Sequence, residues 1–279
     1  MRSGKASATA SFVAAMRGMA GYERAPLVTD EYAERLVDGP FRLGLALASR
    51  APTAAALAMR AASIVSRGKI RHLELRTRAI DDVLSEEARH GATQLVILGA
   101  GLDARAHRLA SLERTAVFEV DHPDTQRQKR SRLGGGAAER VKYVAVDFER
   151  DRLVDVLPRA GFDRTARSTF LWEGVTMYLT EAAVRATIAA VSELAAPSSA
   201  FAITYRAPGF RWEGALANVA VRVLGEPFRL VLPPEQMAEW LAKDGFHRES
   251  DESSDEWGER YLGSPVDTVG ERLVVARKQ

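Results

Sequence analysis

Two hydrophobic rhythms divide the chain. Through the first 75 residues apolar positions recur at helical spacing over 11–19, 31–37, 41–48 and 53–65. Pro26, Gly39-Pro40 and Pro52 punctuate these stretches, because proline donates no backbone hydrogen bond and glycine relaxes a turn. From Thr93 onward, short apolar runs alternate with amphipathic helical segments. The runs at 94–98, 116–120, 142–146, 168–172 and 200–205 are apolar on both faces, which predicts strands of a mostly parallel sheet covered by helices on both sides. The fold class is therefore α/β and doubly wound. Positions 233–244 read as a helix with proline at its start, ended by Gly245-Phe246, and 271–277 as a final strand. Between Ala207 and Pro234 the pattern is irregular and rich in Gly, Pro and aromatics, which fits a lid-like insertion or a plain surface excursion.

Composition narrows the function classes. At 279 residues, with 46% hydrophobic and 27% charged residues, the chain is long enough for one large globular domain or two small ones. It has no cysteine, which excludes disulfides, thiolate metal sites and a cysteine nucleophile and fits a cytoplasmic location. Five scattered histidines show no metal-ligand spacing, so no metal is expected. The most apolar stretch, 41–66, is broken by Arg42, Arg50, Pro52 and Arg60, whereas a membrane span needs about 20 consecutive apolar residues; buried helices are expected there, and no membrane partner. Net charge is +2, and six lysines among 39 basic residues leave 33 arginines, spread without a basic stripe. With aromatics at 7%, no nucleic-acid partner is expected.

The chemistry begins where the first strand runs into Gly99-Ala100-Gly101-Leu102-Asp103-Ala104. Glycines there let the backbone turn sharply and approach a ligand, and the free N–H groups that follow favour polar or anionic atoms. Asp121 ends the second strand about 20 residues on, where an acid can accept both hydroxyls of a ribose. NAD, FAD and S-adenosylmethionine all carry that diol. Asp147 ends the third strand and would face an adenine amino group, with Phe148 beside the ring. A mouth lined by several carboxylates repels a pyrophosphate and suits the cationic sulfonium and ammonium of S-adenosylmethionine.

These residues resemble the leucine carboxyl methyltransferase family of class I S-adenosylmethionine-dependent methyltransferases. The likeness runs through Arg24-Ala25-Pro26-Leu27-Val28-Thr29-Asp30, the segment 75–82, the glycine motif through Leu109, Val120-Asp121-His122-Pro123 with Lys129 downstream, Asp147-Phe148 and Trp172-Glu173-Gly174-Val175-Thr176-Met177-Tyr178-Leu179. It implies a Rossmann-like, seven-stranded, mostly parallel sheet with an N-terminal helical extension. Residues 1–75 would form a helical cap of the same domain, and 76–279 the cofactor-binding core with a lid-like insertion at about 207–234. By the same resemblance, Gly99 and Gly101 lie beneath the cofactor, Asp121 takes the ribose and Asp147 with Phe148 the adenine. Arg76, or Arg78 close by, pairs with the methionine carboxylate, and Glu173 lies near its amino group. The wording departs from the family at Ala104, His107 and Phe148, none of which removes a charged contact.

The implied reaction is transfer of a methyl group to oxygen. A carboxylate acceptor, with a pKa of about 4, is ionised at neutral pH and needs no base; a phenol, at about 10, benefits from one. No convincing base stands out, which tilts the reading toward a carboxylate. Tyr178, Tyr205 and Arg206 follow the fourth and fifth strands and are candidates to orient the acceptor. The aromatics Phe210, Trp212 and Phe228 suit a flat, apolar small molecule, as in polyketide tailoring. A nicotinamide-dependent oxidoreductase would share the glycine turn and Asp121 but leave Arg76, Asp147 and Glu173 without a role. A non-catalytic S-adenosylmethionine-binding protein would keep the cofactor residues alone.

Overall fold

Apolar side chains on both faces put a strand at the centre of a sheet, and β1 (Gln94–Leu98) is buried along its whole length. The computed structural model describes residues 8–65, 69–146, 151–208, 228–266 and 270–279. The other strands are β2 (Ala116–Asp121), β3 (Val141–Ala145), β4 (Ser168–Trp172), β5 (Ala200–Arg206), β6 (Phe246–Ser253) and β7 (Glu271–Lys278), in the order β3-β2-β1-β4-β5-β7-β6. Pairs from β3 to β5 are parallel; β7 runs antiparallel to both β5 and β6. The chain reverses its direction of winding between β1 and β4, which opens a crevice above their carboxyl ends.

In chain order the helices are α1 (Ala8–Ala20), α2 (Ala33–Leu36), α3 (Gly39–Arg50), α4 (Pro52–Val65), α5 (Lys69–Arg89), α6 (Arg105–Arg108), α7 (Pro123–Leu133), α8 (Gly135–Glu139), α9 (Leu153–Arg159), α10 (Glu181–Leu194), α11 (Pro234–Lys243) and α12 (Ser254–Leu262). One face of the sheet, with Val96, Phe118 and Phe170, packs under α9, α10 and α11. The other, with Leu95, Ile97 and Leu171, packs under Leu75, Ile80 and Leu84 of α5 and Trp257 of α12. A third cluster joins Ala14, Leu36 and Leu45 of the leader to Leu102 and Ala104 of the glycine turn. The sequence boundary expected between residues 75 and 76 falls inside α5, so leader and sheet share one continuous helix.

One expectation needs correction, and one strand went unread in the sequence. Within the stretch 41–66, expected to be buried, α3 and α4 are largely exposed: Leu43, Leu47 and Leu57 keep 62%, 54% and 63% of their surface, while Leu45, Ala48, Ala55 and Met59 turn inward. The segment after Gly245-Phe246 is a full strand, β6, whose sequence FHRESDES carries no run of apolar residues. It lies at the sheet edge with a register shift between Arg248 and Ser250, and charged side chains are what an edge strand needs to avoid pairing with other molecules. Most of the expected 207–234 insertion lies outside the described residues, as do its Phe210 and Trp212. No helix among the described residues is long and apolar enough to cross a membrane.

Candidate active site

The site is built where strand ends meet. Gly99 and Gly101 leave β1 with φ of 67° and 48°, the left-handed region that a side chain disfavours. A Cβ on Gly99 would stand 2.8 Å from Val175 Cγ2, and one on Gly101 3.6 Å from Ala10 Cβ in α1. The turn is tied to β2: Gly99 and Ala100 donate their N–H groups to the Val120 carbonyl, and Gly101 N donates to Asp121 Oδ2 at 2.5 Å. Asp121 Oδ1 accepts from His122 N at 2.6 Å. Burial pushes the Asp121 carboxyl up, against the pull of these two donors.

Beneath the turn, Lys129 of α7 and Glu119 of β2 form a pair 2.6 Å apart, each 1% exposed. The ammonium also donates to the Asp103 carbonyl. Burial raises the Glu119 carboxyl to about 7 in spite of Lys129. Above the turn, Arg17 of α1 donates to the Leu102 carbonyl at 2.8 Å and to Asp30 at 3.0 Å. The glycine turn is thus held from below by α7 and from above by the leader.

An ion-pair network adjoins the glycine turn. Arg105, 1% exposed, joins Asp81 at 2.7 Å, Asp103 at 2.5 Å and Glu173 at 2.5 Å; Arg108 adds a second guanidinium to Asp81. Burial raises the Asp103 carboxyl, but Arg105, Arg17 and Lys129 outweigh it and hold it well below the usual range. Glu173, likewise raised by burial, is lowered on balance by Arg105 and Arg76. Arg76 donates from Nε to Glu173 at 2.9 Å and from Nη1 to both oxygens of Glu271 at 3.0 and 2.9 Å. The loop carrying Glu173 is pinned to β5, since Gly174 N donates to Thr204 Oγ1 and Thr176 Oγ1 to the Thr204 carbonyl, both at 2.8 Å.

Of the residues singled out in the sequence, Gly99, Gly101 and Asp121 meet at the glycine turn, while Arg76 and Glu173 meet in the adjoining network. Arg78 does not: it pairs with Asp82 one turn along α5, with its side chain 42% exposed. Asp147 and Phe148 lie outside the described residues. Tyr178 and Arg206 converge on Phe228, whose ring stacks on Tyr178 at 5.5 Å and lies 4.4 Å from the Arg206 guanidinium. Tyr205 does not join them. Alternation along β5 turns it away from Arg206, and its hydroxyl donates to Asp251 of β6 at 2.6 Å, where Arg272 also binds. Its hydroxyl is committed to the sheet rather than to the crevice.

Three polar residues went unremarked in the sequence: Arg105, Glu271 and His72. Glu271 opens a final strand that also carries Arg272, Arg277 and Lys278, so its charge did not stand out. Arg105 stood inside the glycine motif, undistinguished from a surface arginine.

Comparison with known proteins places the chain among methyltransferases. Residues 10–192 match the family model described as leucine carboxyl methyltransferase. A protein of Mycolicibacterium gilvum, named as an S-adenosyl-L-methionine-dependent methyltransferase, is 36% identical over 238 residues, which is 80% of this chain and 72% of that protein. One of the same name from Mycobacteroides abscessus is 34% identical over 251 residues, 85% of this chain and 81% of its own. Among solved structures, a methyltransferase from Thermobifida fusca aligns with 94% of this chain and 97% of its own at a TM-score of 0.61 and 15% identity. An O-methyltransferase family protein from Burkholderia thailandensis aligns at a TM-score of 0.50 and 16% identity; the match covers 73% of this chain and 56% of that one. At such identities the structures share the fold alone, the class I methyltransferase sheet.

Proposed function

The chain belongs to the leucine carboxyl methyltransferase family and is an S-adenosylmethionine-dependent methyltransferase, and from that premise we propose that it esterifies the carboxylate of a flat, largely apolar small molecule, of the kind tailored in polyketide-like secondary metabolism. S-adenosylmethionine supplies a methyl group activated by a sulfonium leaving group. The donor set fits this cofactor. A carboxylate has about four lone-pair sites, so Asp121, after accepting from Gly101 and His122, retains capacity for two ribose hydroxyls. Arg76, with Nε and Nη1 engaged, would meet the methionine carboxylate through Nη2, and Glu173 would take the ammonium. Asp147 and Phe148 remain proposed for the adenine. The leader, with Ala10 and Arg17 over the glycine turn, would act as a cap that excludes water.

The observation that carries the choice of acceptor is the state of the histidines near the crevice. His72 has both ring nitrogens engaged, by Ser254 and Glu271. His122 accepts the Asp124 N–H and caps α7. His107 packs on Tyr32, and burial, reinforced by Lys129 and Arg140, lowers it to about 4, too low for a base working near neutral pH. A carboxylate acceptor asks for no base. Burial makes Arg206 a desolvated cation that can pair with such an acceptor, and the Tyr178–Phe228 stack offers a flat apolar surface beside it. Holding acceptor and cofactor in line supplies much of the rate enhancement.

Calorimetric titration with S-adenosylhomocysteine, with NADH as control, tests the cofactor site. Micromolar binding of the former alone is expected, and Asp121→Ala should weaken it by about tenfold or more without unfolding the protein. In a screen of aromatic acids and phenols, a methyl ester that releases methanol in mild base is the expected product. A base-stable methyl ether would replace the carboxylate reading with a hydroxyl acceptor.

A further inference from the structure

The contacts proposed for the cofactor leave Glu271, His72 and Ser254 without a task, although all three are buried at the same sheet edge. Their meeting follows from topology. Because β7 runs antiparallel to β5, its first residue lies opposite Arg206, the last of β5, on the side where β1, β2 and β4 also end. Arg76 and His72 are four residues apart on α5 and so project from one face of that helix toward this edge. Ser254 opens α12.

The side chains meet in a continuous series of contacts. Glu271 brackets Arg76 Nη1 with both oxygens, and its Oε2 lies 2.8 Å from His72 Nε2. His72 Nδ1 lies 3.0 Å from Ser254 Oγ, and the imidazole stacks on Trp257 at 5.8 Å. An ionised carboxylate only accepts, so Nε2 carries the proton, and Nδ1 accepts the serine hydroxyl. Burial lowers the pKa of His72 more than Glu271 raises it, and Arg76 and Arg206 push the same way, which suits a neutral ring. Removing the His72 donor would take from Glu271 one of the contacts that orient it.

We infer that His72 is a positioning residue for methyl transfer: its Nε2–H fixes the Glu271 carboxylate that aims Arg76 at the amino-acid end of the cofactor. The inference rests on Arg76 meeting that end. It is the arrangement by which a partner one contact removed orients a binding group.

The test is the affinity for S-adenosylhomocysteine, read by calorimetry alongside thermal melting of the full chain. His72→Phe keeps a ring on Trp257 but has no donor; His72→Gln can place an amide N–H near the lost Nε2. Loss of a hydrogen bond to a charged group predicts about tenfold weaker binding or more in H72F and in Glu271→Gln, with H72Q restored to within about threefold of the unsubstituted chain. The H72F/E271Q double variant should bind no worse than the weaker single variant, because the two act through one contact. Unchanged affinity in H72F overturns the inference, and so does an H72Q as weak as H72F, since packing rather than the donor would then matter. Should H72F fail to fold, His72→Asn, which reaches Ser254 but not Glu271, is judged by the same criteria. Arg76→Gln separates the two levels: unchanged affinity there overturns the assignment of Arg76 itself, whereas weak binding by R76Q beside unperturbed H72F overturns only the positioning role.

Discussion

Replacing Lys129 by Met should produce a loss of stability that grows with pH. The substitution keeps an unbranched stem in a site 1% exposed and removes the ammonium, which lies 2.6 Å from Glu119 and also holds the Asp103 carbonyl. Glu119 Oε1 already has no hydrogen-bond partner among the described residues, so the variant leaves both carboxyl oxygens bare. In the unsubstituted chain Glu119 titrates near 7 when folded, against about 4.5 as its ordinary value. A raised folded pKa means that its contribution is fully present below about 4.5, falls as pH rises toward 7 and is level above that. Without Lys129 the folded pKa moves higher still, so in K129M the decline continues past 7 at about 1.4 kcal/mol per pH unit. At pH 6 the variant should be less stable by about 1–3 kcal/mol, the cost of leaving the Asp103 carbonyl unsatisfied. By pH 9 the gap should widen by about 3 kcal/mol. Urea unfolding at pH 6, 7, 8 and 9, with equal m-values as the check on two-state behaviour, measures this directly. A gap that is absent, or that stays constant with pH, refutes the reasoning. Adding Glu119→Gln to K129M should flatten the pH dependence while leaving the pH 6 loss.

Three further outcomes follow from single contacts. Gly99→Ala should lower the melting temperature by about 5–15 °C, since a left-handed alanine costs about 1–2 kcal/mol and the 2.8 Å approach to Val175 adds about 1–3 kcal/mol of overpacking; an unchanged melt would mean that the turn relaxes freely. Tyr205→Phe should cost about 1.5–3 kcal/mol of stability through its lost bond to Asp251 and leave kcat/KM for the acceptor unchanged, whereas a fall in turnover by a well-folded variant would return Tyr205 to the acceptor site. Burial raises the Glu271 carboxyl, but Arg76 and His72 outweigh it and hold it at about 2, so its stabilisation is present above 4.5 and is lost as pH falls toward 2. Between pH 5 and 3, Glu271→Gln should therefore lose less stability than the unsubstituted chain, and equal losses in urea midpoints would sink the assignment.

What could be read in the sequence was what repeats along it. Strands β1, β2, β4 and β5 are buried on both faces, so mainly apolar runs announced them to within a residue. Strand β6 was silent because an edge strand carries charge, and α5 was missed because His72, Arg76 and Asp81 are polar residues on a buried side of the helix, which blurs the helical period. Conversely, the apolar stretch 41–66 promised burial that α3 and α4 do not deliver, since periodicity reports an amphipathic helix but not what covers it. The glycine turn and Asp121 were legible because a tight turn needs glycine and a strand-end acid is rare in an apolar run. Arg105 and Glu271 were not, because nothing local distinguishes a buried ion pair from two solvated charges; only the topology brings Arg76 to an acid 195 residues away.

The insertion of β7 between β5 and β6 sets an order of events for a growing chain. Among the described residues β6 pairs with no strand but β7, so neither can join the sheet until the last of the seven has emerged, and Glu271 arrives only with it. Pairings between distant segments form late, because the loop must close before the contact rewards it. Until then Arg76 can find Glu173 but not Glu271. A chain whose amino-terminal portion has already folded would carry the glycine turn and Asp121 in place and still lack the second anchor of its arginine. If Arg76 grips the methyl donor as proposed, binding of the donor would report that β7 has joined the sheet.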